Sequence, residues 1–212
     1  MSPQPTVDEL LIAAAPDAWS KAGFTVSEDV CEIASVRLRF GATGRGIVGW
    51  SVRDLDELEL DGLPTRASDA PSAAAGPHPN GTISIDHLVV ITPDLDRTSA
   101  VLEGAGFDLR RVREGETPGG SRRQAFFRMG ELILEVVAAP DGTKIAADPN
   151  GPARLWGMSF LVEDLAEPGA ALGDALGEPR DAVQPGRRIA TVATAAGLGP
   201  AIAFMTPGPG AI

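Results

Sequence analysis

Apolar and polar positions along this chain repeat in a fixed order of elements. Ile83-Ser84-Ile85-Asp86-His87-Leu88-Val89-Val90-Ile91 is an apolar run rich in β-branched residues, short enough to be a strand buried on both faces. Thr92-Pro93-Asp94 ends it, and Asp94 or Asp96 can cap a helix that turns Val101 and Leu102 inward, reaches Glu103 and stops at Gly104 and Gly106. Residues 107–114 then alternate with arginines, Thr117-Pro118-Gly119-Gly120 has turn chemistry, and residues 122–129 return as a second alternating strand. Gly130 closes a tight turn into Leu132-Ile133-Leu134-Glu135-Val136-Val137. The order is strand, helix, then three strands.

The same order starts again at Leu155. Residues 155–162 read as strand, 164–176 as helix, 187–194 as strand and 201–205 as the last strand, after the turn Gly197-Leu198-Gly199-Pro200. Between them, residues 177–186 hold Pro179 and Pro185, which predicts a short or irregular edge strand. Asp94-Leu95 in the first pass is echoed by Asp164-Leu165 in the second. One twisted half-sheet cannot bury its own face, so two copies are expected to pair into a closed cup. A third, degraded copy precedes them: residues 10–14 as strand, 17–22 as a short helix, Gly23-Phe24 matching Gly106-Phe107, and residues 30–40 with 47–52 as a hairpin. Residues 64–81 are rich in proline and alanine, show no apolar period and read as a linker. The expected organisation is α+β, with a degenerate βαβββ-like segment at 1–63, a linker at 64–81 and βαβββ modules at 82–140 and 153–207.

Composition narrows the function. A hydrophobic fraction of 43% over 212 residues can fill a core, while a net charge of -11 argues against nucleic acid and anionic membrane as partners. No apolar run has the length of a membrane span and no basic leader precedes an apolar core, so a cytoplasmic protein with a small-molecule ligand is expected. The single cysteine, Cys31, excludes a disulfide framework and sits in an alternating run, where it reads as a buried thiol. Gly41-Ala42-Thr43-Gly44-Arg45-Gly46 has the outline of a phosphate loop but runs into the strand-like Ile47-Val48-Gly49-Trp50, which makes it a hairpin turn. There is no Gly-x-Ser-x-Gly elbow, and two histidines leave little room for a hydrolase triad.

His87-Leu88-Val89-Val90 followed by Asp94-Leu95, with Leu134-Glu135-Val136 on a closing strand, resembles the vicinal oxygen chelate superfamily. That superfamily includes glyoxalase I, extradiol dioxygenases, methylmalonyl-CoA epimerase, and fosfomycin- and bleomycin-resistance proteins. The resemblance covers residues 83–206 and, more weakly, 7–60. It implies a glyoxalase-like fold of paired βαβββ modules, the amino-terminal copy being partial, and one metal ligand from the first and one from the last strand of each module. His87 and Glu135 hold those positions in the first module. Aligning Asp164 with Asp94 puts Gly157 opposite His87, and Ala201-Ile202-Ala203-Phe204-Met205 contains no carboxylate, so the metal site implied for the second module is missing. A catalytic site normally needs three protein ligands.

No cofactor is therefore expected, the alternative being a divalent metal on His87 and Glu135 with further ligands from His78, water or a second chain; a homodimer stays open. Without metal, His87 and Glu135 facing the cup would form a base or a polar anchor. Phe126, Trp156, Phe160 and Phe204 fall on strands of the two modules and are candidates to line the cavity, against core packing as the alternative. Arg110, Arg111, Arg113, Arg122, Arg123 and Arg128 read first as the solvated face of a hairpin and second as a reception for an anionic substrate. The expected function is small-molecule binding in the manner of bleomycin-resistance proteins. The alternatives are a metal-dependent lyase, isomerase or dioxygenase, and a structural protein whose cup is filled by its own side chains.

Overall fold

In the computed structural model, which describes residues 4–117 and 120–208, one pairing rule recurs: a strand opens each segment and lies parallel to the strand that closes it. β1 (Thr6–Ala13) pairs with β3 (Val36–Arg39), β4 (Gly46–Arg53) with β5 (Thr65–Ala67), β6 (Thr82–Thr92) with β9 (Leu132–Ala138), and β10 (Arg154–Val162) with β13 (Ala201–Met205). Parallel neighbours cannot be joined by a tight turn and need a crossover. Helices α1 (Pro16–Lys21), α2 (Leu95–Gly104) and α3 (Ala166–Leu172) lie in three of these connections. The remaining strands are β2 (Val30–Ile33), β7 (Asp108–Thr117), β8 (Gly120–Met129), β11 (Arg180–Asp181) and β12 (Arg188–Thr191). The strands form two sheets, β2-β3-β1-β4-β5 and β11-β12-β13-β10-β6-β9-β8-β7. No helix among the described residues is long and apolar enough to cross a membrane.

The amino-terminal segment departs from expectation in its pairing. Residues 30–40 form a hairpin by themselves, Val30 opposite Arg39 and Ile33 opposite Val36, turning at Ala34 with φ 50°. β4 instead pairs with β5, which lies inside the stretch read as a linker. Three residues, Thr65-Arg66-Ala67, are too few to carry an alternating signal, and their pairing is legible only in three dimensions. The rest of that stretch is tied down as well. Arg53 donates through Nε to the Ala70 carbonyl at 2.8 Å, and Arg37 donates to the Pro71 carbonyl at 2.7 Å. In the second module, the weak strand expected between residues 177 and 186 is the two-residue β11.

The chain divides into two compact units. One holds residues up to Asp8, Gly49–Ala70 and His87–Trp156; the other holds Glu9–Val48, Pro71–Asp86 and the chain from Gly157 onward. Each contains two of the parallel pairs. In the first unit, Leu88 and Val90 of β6, Phe127 of β8, and Leu134 and Val136 of β9 are buried together with Leu102 of α2. Helix α2 is capped by Asp94, whose side chain accepts from the Arg97 amide at 2.9 Å. The Arg97 guanidinium then gathers two separate pieces of chain: it meets Asp61 at 2.8 Å and donates to the carbonyls of Pro149 at 2.7 Å and Gly151 at 2.6 Å.

The second unit is centred on aromatic rings. Trp19 and Phe24 lie 4.9 Å apart, Phe24 and Phe160 5.0 Å, and Phe160 and Phe204 5.6 Å, all at tilted angles. Trp19 also donates its indole N–H to the Leu198 carbonyl at 3.1 Å. Cys31 is fully buried in this unit; burial first, and the neighbouring Glu32 carboxylate second, push its pKa up to about 12, so the thiol stays protonated and inert. Because Phe160 touches both Phe24 and Phe204, Phe160→Ala is expected to cost about 3–5 kcal/mol, read as a shift in the urea midpoint by tryptophan fluorescence. A loss below about 1 kcal/mol would mean that the cluster is not a core.

Candidate functional site

A strand presents alternate residues to opposite faces, so the helix-facing set in β6, β8 and β9 leaves a second set on the other side. Register gives that second face row by row. Val89 lies beside Glu135, Glu135 beside Phe126, and Phe126 beside Arg111. The next row is Ile91, Val137, Gln124 and Arg113, and on the other flank run His87, Ile133, Arg128 and Asp108. A register shift between Leu109 and Arg111 is what turns Arg111 and Arg113 to this side.

His87 and Glu135 stand on adjacent strands, diagonal to each other. Nε2 of His87 is 3.7 Å from Oε2 of Glu135, and the side chains are 18% and 12% exposed. The Gln124 side-chain amide donates to Oε1 of Glu135. One carboxylate oxygen is therefore held by a neutral donor while the other faces the imidazole, a half-buried arrangement suited to anchoring or exchanging a proton. Gln124 was not singled out from the sequence. Its parity with Phe126, two residues on along the same strand, was the signal that could have found it.

The second module pairs its first and last strands as the first does but does not carry the same chemistry. Gly157 pairs with Ala201 and Ser159 with Ala203, as His87 pairs with Ile133 and Val89 with Glu135. With Asp164 aligned to Asp94, Gly157 stands where His87 does and Ala203 where Glu135 does. The absence of a side chain at Gly157 is enforced: a Cβ there would lie 2.4 Å from the Ala201 carbonyl oxygen. No group of three His, Cys, Asp or Glu residues that could hold a metal ion occurs among the described residues. The two donors of the metal-ligand type that stand together here are one short of the three that a catalytic metal centre normally uses.

The second histidine is engaged elsewhere. His78, in the second unit, accepts at Nδ1 from the Thr25 amide at 3.1 Å, which leaves Nε2 as the protonated nitrogen facing the Glu32 carbonyl at 3.0 Å. It borders a cleft of about 490 Å³ that Glu32, Arg37 and Arg39 also line. The charges in that cleft are already matched, Arg39 meeting Glu9 at 2.9 Å and Asp29 at 3.4 Å. Its volume alone does not make it the site.

The four aromatic candidates separate. Phe126 shares the face of His87 and Glu135, with the Arg111 guanidinium 4.7 Å from its ring centroid. Phe160 and Phe204 have the opposite parity to Gly157 and Ala203 and pack into the aromatic core, so they do not share a face with those positions. Trp156 stands 54% exposed at the start of β10. The arginines also divide: Arg110 meets Asp108 at 3.1 Å, and Arg123 meets Asp96 and Glu114 at 3.0 Å each, the former pairing with the α2 side of the sheet. The side chain of Arg122 lies outside the described residues.

Architecture and face together define a glyoxalase-like α+β protein with one chemically equipped module. Neither protein-family models nor curated protein sequences give a match. Solved structures do. A triple variant of 4-hydroxymandelate synthase from Streptomyces coelicolor superposes with a TM-score of 0.67 at 13% identity, over 99% of this chain and 95% of that one. A xylose isomerase-like TIM barrel/4-hydroxyphenylpyruvate dioxygenase fusion protein gives 0.61 at 12% identity, over 100% of this chain and 50% of that one. Methylmalonyl-CoA epimerase from Mycobacterium tuberculosis gives 0.49 at 18% identity, over 65% and 94%. The chain shares the glyoxalase-like fold of the first two of these structures, and both likenesses take in the amino-terminal segment as well as the two modules.

Burial lowers the His78 pKa from its ordinary value of 6.5, opposed by the hydrogen bond to the Glu32 carbonyl. The fold holds this imidazole neutral, whereas an unfolded chain protonates it. Stability is therefore fully present above the ordinary value of 6.5 and falls as pH drops below it, until the folded state also takes up the proton. Unfolding measured across this range should show a shallower decline for His78→Gln than for the wild type. Parallel curves would remove His78 as the cause.

Proposed function

We propose that this chain is a small-molecule-binding protein of the cytoplasm whose module at residues 82–140 carries the ligand face, with the copy at 153–207 retained as a partner that has lost its polar positions. His87 and Glu135 hold the polar part of the ligand and share a proton with it. Gln124 keeps the Glu135 carboxylate aimed. The observation that carries this reading is the 3.7 Å approach of His87 to Glu135 on a half-buried face, with no third donor of the metal-ligand type gathered among the described residues.

The same approach favours one rival, since two donors at that distance could flank a divalent ion in a lyase, isomerase or dioxygenase. Elemental analysis of protein purified without chelator or affinity-tag metal separates the two. The expected result is folded protein without stoichiometric transition metal, together with ligands whose thermal stabilisation of the protein is weakened in His87→Ala and Glu135→Ala. One equivalent of a transition metal, lost in both variants, would replace this reading with the metal-dependent one.

A further inference from the structure

Resting on the ligand face just described, we infer that Arg111 and Arg113 form its anion-recognising end, and that the ligand is a small organic carboxylate whose opposite end lies at His87 and Glu135. The sequence alone could not choose between a solvated hairpin face and an anion site, because arginines fall on both strand parities. The register separates them. Arg111 lies beside Phe126 and Arg113 beside Gln124, so both stand on the face that carries Glu135. Arg110 and Arg123 are matched with carboxylates, and Arg128 donates through Nε to the Gly130 carbonyl at 3.0 Å.

Arg111 and Arg113 meet no carboxylate among the described residues, although the chain holds 29 acidic residues against 18 basic ones. They sit two residues apart on β7, the end strand of its sheet, so both guanidinium groups leave the same side. Like charges at such spacing repel, and an anion bridging them removes that cost. Arg111 is further restrained by its stack on Phe126, 4.7 Å from the ring centroid, which leaves the edge of the guanidinium fork to receive a carboxylate.

The spacing sets the ligand's size. β9 and β7 are separated by β8, so their axes lie about 9–10 Å apart. Arginine side chains reach back across part of that gap. A carboxylate on a single ring or a short chain spans what remains, with its body over Phe126 and Val137 and its second polar group at the His87–Glu135 pair.

The test is calorimetric titration of the full chain with benzoate, phenylacetate and glutarate, each beside its uncharged amide. At least one carboxylate is expected to bind saturably, to prefer the carboxylate over the amide, and to lose about tenfold or more in affinity in the double variant Arg111→Gln/Arg113→Gln. Arg110→Gln/Arg123→Gln, which changes charge equally but on matched residues, should leave the affinity unchanged. No saturable carboxylate binding, an affinity equal for acid and amide, or an equal loss in both double variants would overturn the proposal. Amide binding that depends on His87 and Glu135 but not on Arg111 and Arg113 would sink this inference while leaving the ligand face standing.

Discussion

Much of this structure follows from the parallel pairing of each opening strand with its closing strand. Parallel neighbours demand a crossover, three of the four crossovers here carry a helix, and the helix claims one face of the sheet for burial. In the module that begins with β6, that face took Leu88, Val90, Leu134 and Val136, and the residues between them were left to the other side by the two-residue period alone. His87 and Glu135 come together because they share that residual parity on adjacent strands. No loop is needed to assemble them. A one-residue slip of β9 against β6 would turn Glu135 into the apolar layer, where an unpaired carboxylate is costly, so the buried leucines and the half-buried polar pair enforce the same register.

This explains what could be read in advance. The two modules were legible because their strands are long or their turns are marked by glycine and proline, and the cap at Asp94 was legible because a side-chain acceptor preceded an inward-facing pair of apolar residues. The equivalence of Gly157 with His87 follows from counting back from Asp164, and the strand parity agrees with it, Leu88 and Met158 each following as a buried residue. Hidden features were those whose signal lives in pairing. β5 is three residues long and lies in a stretch with linker composition, and only its backbone partner in β4 makes it a strand. The hairpin within residues 30–40 turns at an alanine with positive φ, which no glycine or asparagine announced. At the site, the pair could be named because histidine and glutamate stood out against apolar runs, whereas Gln124 and the sidedness of the arginines depended on a register shift in β7 that the sequence does not advertise.

The two modules also show how far a shared backbone constrains chemistry. Their first and last strands pair in the same register, yet one face carries an imidazole, a carboxylate and an amide, and the other carries glycine, serine and alanine. The fold supplies positions. Which residues occupy them decides what the face can do, and likeness to solved structures at 12–13% identity speaks to the positions only.

At Gly157 that difference is a matter of space. The carbonyl of Ala201 occupies the space that any side chain at residue 157 would enter. A histidine placed there would have to push that strand aside before its imidazole could reach the face. A backbone atom thus bars the second module from carrying any side chain at this position, while the matching position of the first module holds an imidazole.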